Sequence, residues 1–233
     1  MARPVLDRLT LRGDETVLDA GCGSGRVTEL LLERLPQGRV VGVDGSESMV
    51  AQATQRLARY GDRMRVMRVD LQQPMPVELL GSRVDAVFST ATFHWIADHD
   101  ALFRNLAAVL RPGGHFVVQC GGAGNIASVV EVLRQVGDGW PGPWNFAHPV
   151  ETRRRLEAAG FTEIACWLTP EAVVLEPGEA GETYLATVVL GAHLDRLPES
   201  ERSEFVREVA RRLPNQERPV LDYVRLNVTA RKS

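Results

Sequence analysis

Three aspartates and a glycine-rich turn are the residues of this sequence best suited to binding a ligand. The turn lies in the stretch VLDAGCGSGR, where Gly21, Gly23 and Gly25 follow Asp19. Glycine lets the backbone approach a ligand closely, and a helix that begins after the turn presents unpaired N–H groups. A turn of this kind between a strand and a helix is typical of nucleotide-binding sites.

The residues around the glycines indicate which nucleotide-like ligand the turn would bind. A dinucleotide turn has the pattern G-x-G-x-x-G, but the position of its third glycine is Arg26 here. The carboxylate of Asp19 would repel a pyrophosphate and attract a cation. The turn therefore favours a nucleoside that carries positive charge and no phosphate, and NAD, as in an oxidoreductase, is the less favoured alternative.

Two further aspartates end the next two apolar runs. Asp44 follows Asp19 by 25 residues, close to the spacing at which an acidic residue accepts both ribose hydroxyls. Asp70 ends the third run, where an adenine amino group could be bound. Each aspartate alone could be a helix cap or a solvated loop residue. Together they predict three carboxylates along one edge of a crevice.

The elements that would position these residues alternate between strands and helices. Helices are predicted over about 25–35, over 47–59 with Ser46 as N-cap, and over 99–110 with RPGG (111–114) ending it. Nearly continuous apolar strands between helices indicate a parallel sheet covered on both faces, a doubly wound α/β fold. The predicted strands are TVLDA (16–20), RVVGVD (39–44), RVMRVD (65–70), VDAVFST (84–90) and HFVVQC (115–120).

The second half of the chain is less regular. It contains a predicted helix over 151–161, a strand over 162–168, helical segments over about 181–213 broken at Pro198, and a last strand over 219–231. Since no shift in composition marks a boundary, we predict a single domain, residues 1–233. Residues 16–120 would form its cofactor-binding half, and about 170–215 a helical insertion between the last two strands that could cover the substrate.

Composition excludes several classes of protein. The net charge of −3 gives no basic field for nucleic acid, and no apolar run approaches the 18 residues of a membrane span. Cysteines 22, 120 and 166 form no CxxC, and the five histidines show no ligand spacing with them, so no metal site is expected. These features predict a reduced, cytoplasmic protein that binds neither nucleic acid nor a membrane, and they leave its oligomeric state open.

The motifs as a set resemble the class I S-adenosylmethionine-dependent methyltransferases, over about residues 5–168 and on through the final strand. They are VLDAGCGSG, VVGVDGSESMV, VMRVDL and VDAVFS…LRPGGHFVV. The resemblance implies a seven-stranded, mostly parallel sheet with an antiparallel last strand, and S-adenosylmethionine as cofactor. The positions that it assigns to the cofactor are Asp19, Gly21, Cys22, Gly23 and Gly25 for the methionine part, Asp44 and Gly45 for the ribose, Met49, Asp70 and Leu71 for the adenine, and Ser89 facing the methionine part.

A narrower similarity lies in FSTATFHWIADHDALFRNL, which contains His94 and Trp95. It is similar to the trans-aconitate methyltransferase branch and to insect juvenile hormone acid methyltransferases, which esterify carboxylates, although relatives with other substrates carry the same pair. An oxygen acceptor is therefore favoured, a carboxylate first. His94 is the candidate base for a hydroxyl or amine acceptor, or else shapes the pocket. Trp95, Trp140 and Trp144 either line the acceptor pocket or fill core and loop contacts.

The N-terminal segment departs from the family pattern. Relatives commonly have a further N-terminal helix that closes over the cofactor, whereas 15 residues precede the first strand here and ARPVLDRL supplies one short helix. Either the chain is truncated or its lid comes from elsewhere. A protein that binds S-adenosylmethionine as a sensor or partner subunit is therefore the alternative to an enzyme.

Overall fold

Seven strands form one sheet in the order β3-β2-β1-β4-β5-β9-β6 in a computed structural model that describes residues 2–75, 77–215 and 218–233. Strands β1 to β5 pair in parallel, and β9 runs antiparallel to β5 and β6. This architecture confirms the predicted fold. The strands are β1 (Thr16–Ala20), β2 (Arg39–Asp44), β3 (Met64–Arg68), β4 (Val84–Thr90), β5 (Leu110–Gly121), β6 (Phe161–Pro170) and β9 (Val224–Lys232), with β7 (Val173–Val174) and β8 (Val220–Leu221) in a separate two-stranded ribbon.

Helices cover both faces of the sheet. One hydrophobic cluster joins Val17 and Phe88 of the sheet to the first three helices, and a second joins Leu18 and Val87 to α5 and α7. Because neighbouring residues of β1 pack on opposite faces and both faces are covered, the strand is buried at all five positions. The helices are α1 (Ala2–Leu6), α2 (Arg26–Glu33), α3 (Glu47–Leu57), α4 (Val77–Leu80), α5 (His99–Val109), α6 (Ala127–Leu133), α7 (Pro149–Ala158), α8 (Glu179–Tyr184), α9 (Gly191–Leu194) and α10 (Glu199–Arg212).

Two predicted boundaries differ from the structure in ways that matter for the site. β3 ends at Arg68, so Asp70 lies two residues beyond the strand that it was predicted to end. The RPGG segment does not end α5 through a glycine turn. The helix stops at Val109, and Leu110 already has extended backbone and pairs with Val84. RPGG then forms a bulge in β5 between that pair and the next one, Ala86 with His115. Sheet pairing thus replaces the predicted helix-ending turn.

The segment between β6 and β9 packs as a third cluster. α8, the turn Leu185–Val189, α9 and α10 share one hydrophobic cluster with α6, and its members include Val206 and Val209 of α10 and Val129 of α6. α10 begins directly after Pro198, the predicted break. The division into a cofactor-binding half and a helical insertion stays a prediction. Within the described ranges, no helix is both long and apolar enough to cross a membrane.

Candidate cofactor site

A cavity of about 840 Å³ lies at the carboxyl ends of β1, β2 and β4. The chain leaves β1 toward one side of the sheet and β4 toward the other, because the strand order reverses between them. Ligands of doubly wound sheets bind at this kind of reversal. The predicted residues that line the cavity are Asp19, Gly21, Cys22, Gly23, Asp44, Gly45, Asp70, Leu71 and Trp95.

The glycine turn forms the floor of the cavity and requires its glycines. Gly21, Gly23 and Gly25 have φ angles of +87°, +53° and +80°, which side chains rarely adopt. A Cβ on Gly21 would stand 2.1 Å from Thr92, and one on Gly25 would stand 2.8 Å from Leu57. A Cβ on Gly23 would meet no protein atom within 4 Å, and Gly23 lines the cavity. The turn therefore packs tightly on its protein side and stays clear toward the ligand.

Asp44 is fixed at the edge of this turn. One carboxylate oxygen accepts a hydrogen bond from Gly23 N at 2.9 Å, and the other accepts one from Ser46 N at 2.9 Å. Ser46 is the predicted N-cap of α3, and its hydroxyl accepts from Met49 N. A carboxylate has about four acceptor positions. The two backbone hydrogen bonds occupy two of these positions, and the remaining two can accept hydrogen bonds from the two hydroxyls of a ribose.

Asp19 supplies a buried negative charge beside the turn. Its side chain is 2% exposed, and its Oδ2 accepts a hydrogen bond from the Thr28 hydroxyl at 2.6 Å. Burial, together with the nearby charge of Asp44, raises the pKa of Asp19 to about 6 against the opposing effect of the Thr28 hydrogen bond. A cation bound nearby would relieve both causes, whereas a pyrophosphate would add to them. Burial and the same two carboxylates also raise the pKa of the Cys22 thiol, which is therefore neutral and acts as a small packing group.

A second wall of the cavity begins where β4 ends, and we name it the acceptor wall after the role that the sequence predicts for Trp95. Thr90, Ala91, Thr92 and Trp95 line it, and the Trp95 side chain is 45% exposed at its edge. The Thr92 hydroxyl donates to Gly21 O at 3.1 Å, which ties this wall to the glycine turn.

His94 is buried beside the acceptor wall and does not line the cavity. Its Nδ1 accepts a hydrogen bond from Gly121 N at 3.2 Å, so in the neutral ring Nε2 carries the hydrogen. Burial, with a smaller effect of the positive charge of Arg225, lowers the pKa of His94 to about 4. The imidazole is thus neutral at pH 7 and a weak base.

The other two tryptophans of the prediction behave differently from each other. The Trp144 ring lies 5.9 Å from that of Trp95 and stacks on Phe146, so it supports the exposed edge of the acceptor wall. Trp140 packs on His193 and lies outside the cavity lining.

Comparison with known proteins agrees with this geometry. A family model described as a methyltransferase domain matches residues 17–114. The chain is 42% identical over 118 residues to a trans-aconitate 2-methyltransferase of Azoarcus sp. (strain BH72), a match that covers 51% of this chain and 44% of that protein. It is 28% identical over 218 residues to a trans-aconitate 2-methyltransferase of Acidovorax sp. (strain JS42), covering 90% and 81%. The matched residues form a methyltransferase domain, and over its length the chain resembles the class I S-adenosylmethionine-dependent methyltransferases.

A solved structure extends the similarity of this methyltransferase to the whole fold. The YcgJ protein of Bacillus subtilis superposes with a TM-score of 0.70 at 14% identity, covering 99% of this chain and 97% of that one. S-adenosylmethionine is the cofactor of these methyltransferases, and a phosphoethanolamine N-methyltransferase of Haemonchus contortus with a similar fold was solved in complex with it. The described cavity fits it, since two carboxylates face a cationic amino-acid nucleoside and the position above Gly23 is clear.

Three residues assigned to the cofactor do not line the cavity. Ser89 is fully buried, and its hydroxyl donates to Ala20 O at 2.6 Å, which bridges β4 to β1 inside the sheet. The next residues of the chain, Thr90 to Thr92, line the cavity instead. Met49 lies half-buried in the first turn of α3, outside the lining. Gly25 shapes the turn without lining the cavity.

Sequence reasoning missed Thr92 and the adenine-side residues Val69 and Gln72, which also line the cavity. Thr92 meets Gly21 across 71 residues of sequence, and its own neighbours in the sequence carry no signal for that contact. Val69 and Gln72 flank the predicted pair Asp70 and Leu71 in the sequence, and this position next to predicted site residues is the signal that could have identified them. No group of three or more residues suited to a metal occurs in the part of the chain that the structure describes.

Proposed function

We propose that this protein transfers a methyl group from S-adenosylmethionine to an oxygen atom of a small-molecule acceptor, with a carboxylate as the first candidate. Family membership supports methyl transfer. The two similar proteins are named for trans-aconitate, a compound with three carboxylates. That similarity supports a carboxylate acceptor for this chain.

The observation that carries the proposal is the absence of a base among the described residues at the acceptor wall. His94, with a pKa lowered to about 4, is too weak to deprotonate a hydroxyl at pH 7. Burial raises the pKa of the Cys120 thiol to about 12, so that group holds its proton. Asp19 accepts from Thr28 and Asp44 from the glycine turn, both on the cofactor side.

A carboxylate acceptor fits such a wall because it is already ionised. Its ordinary pKa is near 4, whereas a phenol or an alkylamine near 10 would need proton removal before attack. An acceptor that arrives as an anion is therefore the one that this site can use at neutral pH.

The main task left to the protein is positioning. S-adenosylmethionine, when bound, supplies a methyl group that its sulfonium makes electrophilic. Holding an acceptor oxygen in line at about 3–3.5 Å can supply roughly 7–11 kcal/mol of the barrier. The hydrogen bond from Thr92 to Gly21 O holds the acceptor wall against the cofactor turn, and Trp95 covers the exposed edge of that wall.

The test is methyl transfer across a panel of carboxylic acids, phenols and amines, followed between pH 6.5 and 9. We expect turnover with carboxylic acids at a rate that changes little with pH, and retained by His94→Asn, which keeps an acceptor for Gly121 N. Turnover confined to phenols or amines, rising with pH, would overturn the carboxylate proposal. Tight binding of S-adenosylmethionine with no methyl transfer to any acceptor would favour the alternative of a protein that binds S-adenosylmethionine as a sensor or partner subunit.

A further inference from the structure

We infer that Arg225 anchors a second carboxylate of the acceptor, so that this methyltransferase selects di- and tricarboxylates over monocarboxylates. The inference rests on the proposed function and adds to it a residue and a substrate class. Its basis is a small second cavity that joins the cofactor cavity at the acceptor wall.

The second cavity has a volume of about 180 Å³. It shares Val27, Thr90 and Ala91 with the cofactor cavity, so the two adjoin at the end of β4. Liquid water occupies about 30 Å³ per molecule, so the space corresponds to about six waters. That is room for one short arm of a small acceptor whose other end reaches the cofactor cavity.

Arg225 is the charged residue among the described residues that line this second cavity. It stands at the start of β9, opposite Gly121 of β5. Its Nε lies 3.4 Å from Glu171, and its guanidinium lies 4.2 Å from the centre of the Tyr223 ring. The side chain is 12% exposed. A guanidinium held in place in this way matches the planar fork that binds a carboxylate.

The rest of the wall does not compete for an anion. Gln119 donates its amide hydrogen to Asn227 Oδ1 at 2.9 Å, and the buried Asn227 also accepts from Arg8 at 2.6 Å. Cys120 holds its proton, as shown above, and Glu171 is more exposed than Arg225 and lies outside the cavity lining. Among the described residues that line the cavity, Arg225 is thus the cation and the others are neutral. Its guanidinium already pairs with Glu171 and would take an entering carboxylate as a further partner.

A carboxylate bound to Arg225 cannot at the same time be the one that accepts the methyl group, because the methyl donor lies in the other cavity. The acceptor must then carry at least two carboxylates. A partly buried, charge-assisted hydrogen bond contributes enough that its loss weakens binding roughly 10- to 100-fold.

The experiment compares Arg225→Met with Arg231→Met. Arg231 is the matched control because it lies at the other end of β9 and pairs with Glu163. The first readout is calorimetric binding of tricarballylate to the complex with S-adenosylhomocysteine. The second is kcat/KM for trans-aconitate against that for the monocarboxylate crotonate.

We expect Arg225→Met to weaken tricarballylate binding and to lower kcat/KM for trans-aconitate, each roughly 10- to 100-fold. The kcat/KM for crotonate and the affinity for S-adenosylmethionine should stay unchanged. Arg225→Lys keeps the charge but lacks the fork, so its tricarballylate affinity and its kcat/KM for trans-aconitate should lie between those of the unsubstituted protein and of Arg225→Met. It replaces Arg225→Met in the test if that variant does not fold. Equal loss on both acceptors, no loss, or no tricarballylate binding by the unsubstituted protein would overturn the anchor. Lost tricarballylate binding in a protein that transfers no methyl group would uphold the anchor and overturn the proposed function.

Discussion

Replacing Asp19 by asparagine is expected to stabilise the cofactor-free protein above pH 6. The substitution keeps the shape of the side chain and an oxygen to accept from Thr28, and it removes a negative charge that is 2% exposed. The free energy of unfolding should therefore rise, although the cavity loses one of the two carboxylates proposed to attract the cofactor. Stability and function would then oppose each other at this residue.

The magnitude follows from the pKa of Asp19, which burial raises from an ordinary 3.8 to about 6. The difference of about 2.2 corresponds to about 3 kcal/mol at 1.36 kcal/mol per pKa unit. Below about pH 4 the carboxyl is protonated in both the folded and the unfolded chain, so it carries no penalty. Between about pH 4 and 6 the folded chain binds more protons, and stability falls as pH rises. Above pH 6 the penalty is complete.

The assay is urea unfolding of both proteins without cofactor, at pH 4.5, 6 and 8. We expect Asp19→Asn to gain up to about 3 kcal/mol over the unsubstituted protein at pH 8, and less at pH 4.5. Thr28→Val removes a hydrogen bond that lowers the pKa of Asp19. The pH range over which stability falls should therefore extend to higher pH in this variant. Parallel pH profiles for Asp19→Asn and the unsubstituted protein, or a less stable variant at pH 8, would refute the reasoning.

The remaining predictions concern the turn and the acceptor wall. Gly21→Ala should cost about 2–4 kcal/mol of unfolding free energy, because positive φ and overlap with Thr92 act together. Gly81→Ala, at a φ of +84° with no atom within 4 Å, should cost about 1–2 kcal/mol; equal losses in urea unfolding would contradict the overlap. Trp95→Phe should abolish the fluorescence change on cofactor binding, because Trp95 lines the cavity, whereas Trp140→Phe should preserve it. The reverse pattern would place the cofactor elsewhere.

Much of the sheet could be predicted because apolar runs and helical periodicity alternate cleanly. The glycines and Asp44 could be predicted as site residues because their types and spacing have a local physical reason. The orientation of Ser89 could not, since strands buried on both faces lack the polar alternation that shows which side chain points where. Thr92 depends on a contact across 71 residues. Arg225 gave no signal in a chain in which every basic residue but Lys232 is arginine.

The end of the predicted helix near RPGG shows how pairing overrides a local motif. Glycines after a helix usually end it in a left-handed turn. Here Leu110 pairs with Val84 of the neighbouring strand, so the chain becomes extended before it reaches Gly113. The sheet neighbour that decides this boundary lies 26 residues away and is invisible to a local pattern.

Calorimetric titration with S-adenosylmethionine and NAD tests the central claim that the cavity at the glycine turn binds a cationic nucleoside. We predict saturable 1:1 binding of S-adenosylmethionine and none of NAD. Asp44→Ala should weaken that binding by at least about tenfold through loss of the ribose acceptor and of the bond from Gly23 N. Saturable binding of NAD without S-adenosylmethionine, or an affinity that Asp44→Ala leaves unchanged, would contradict the account.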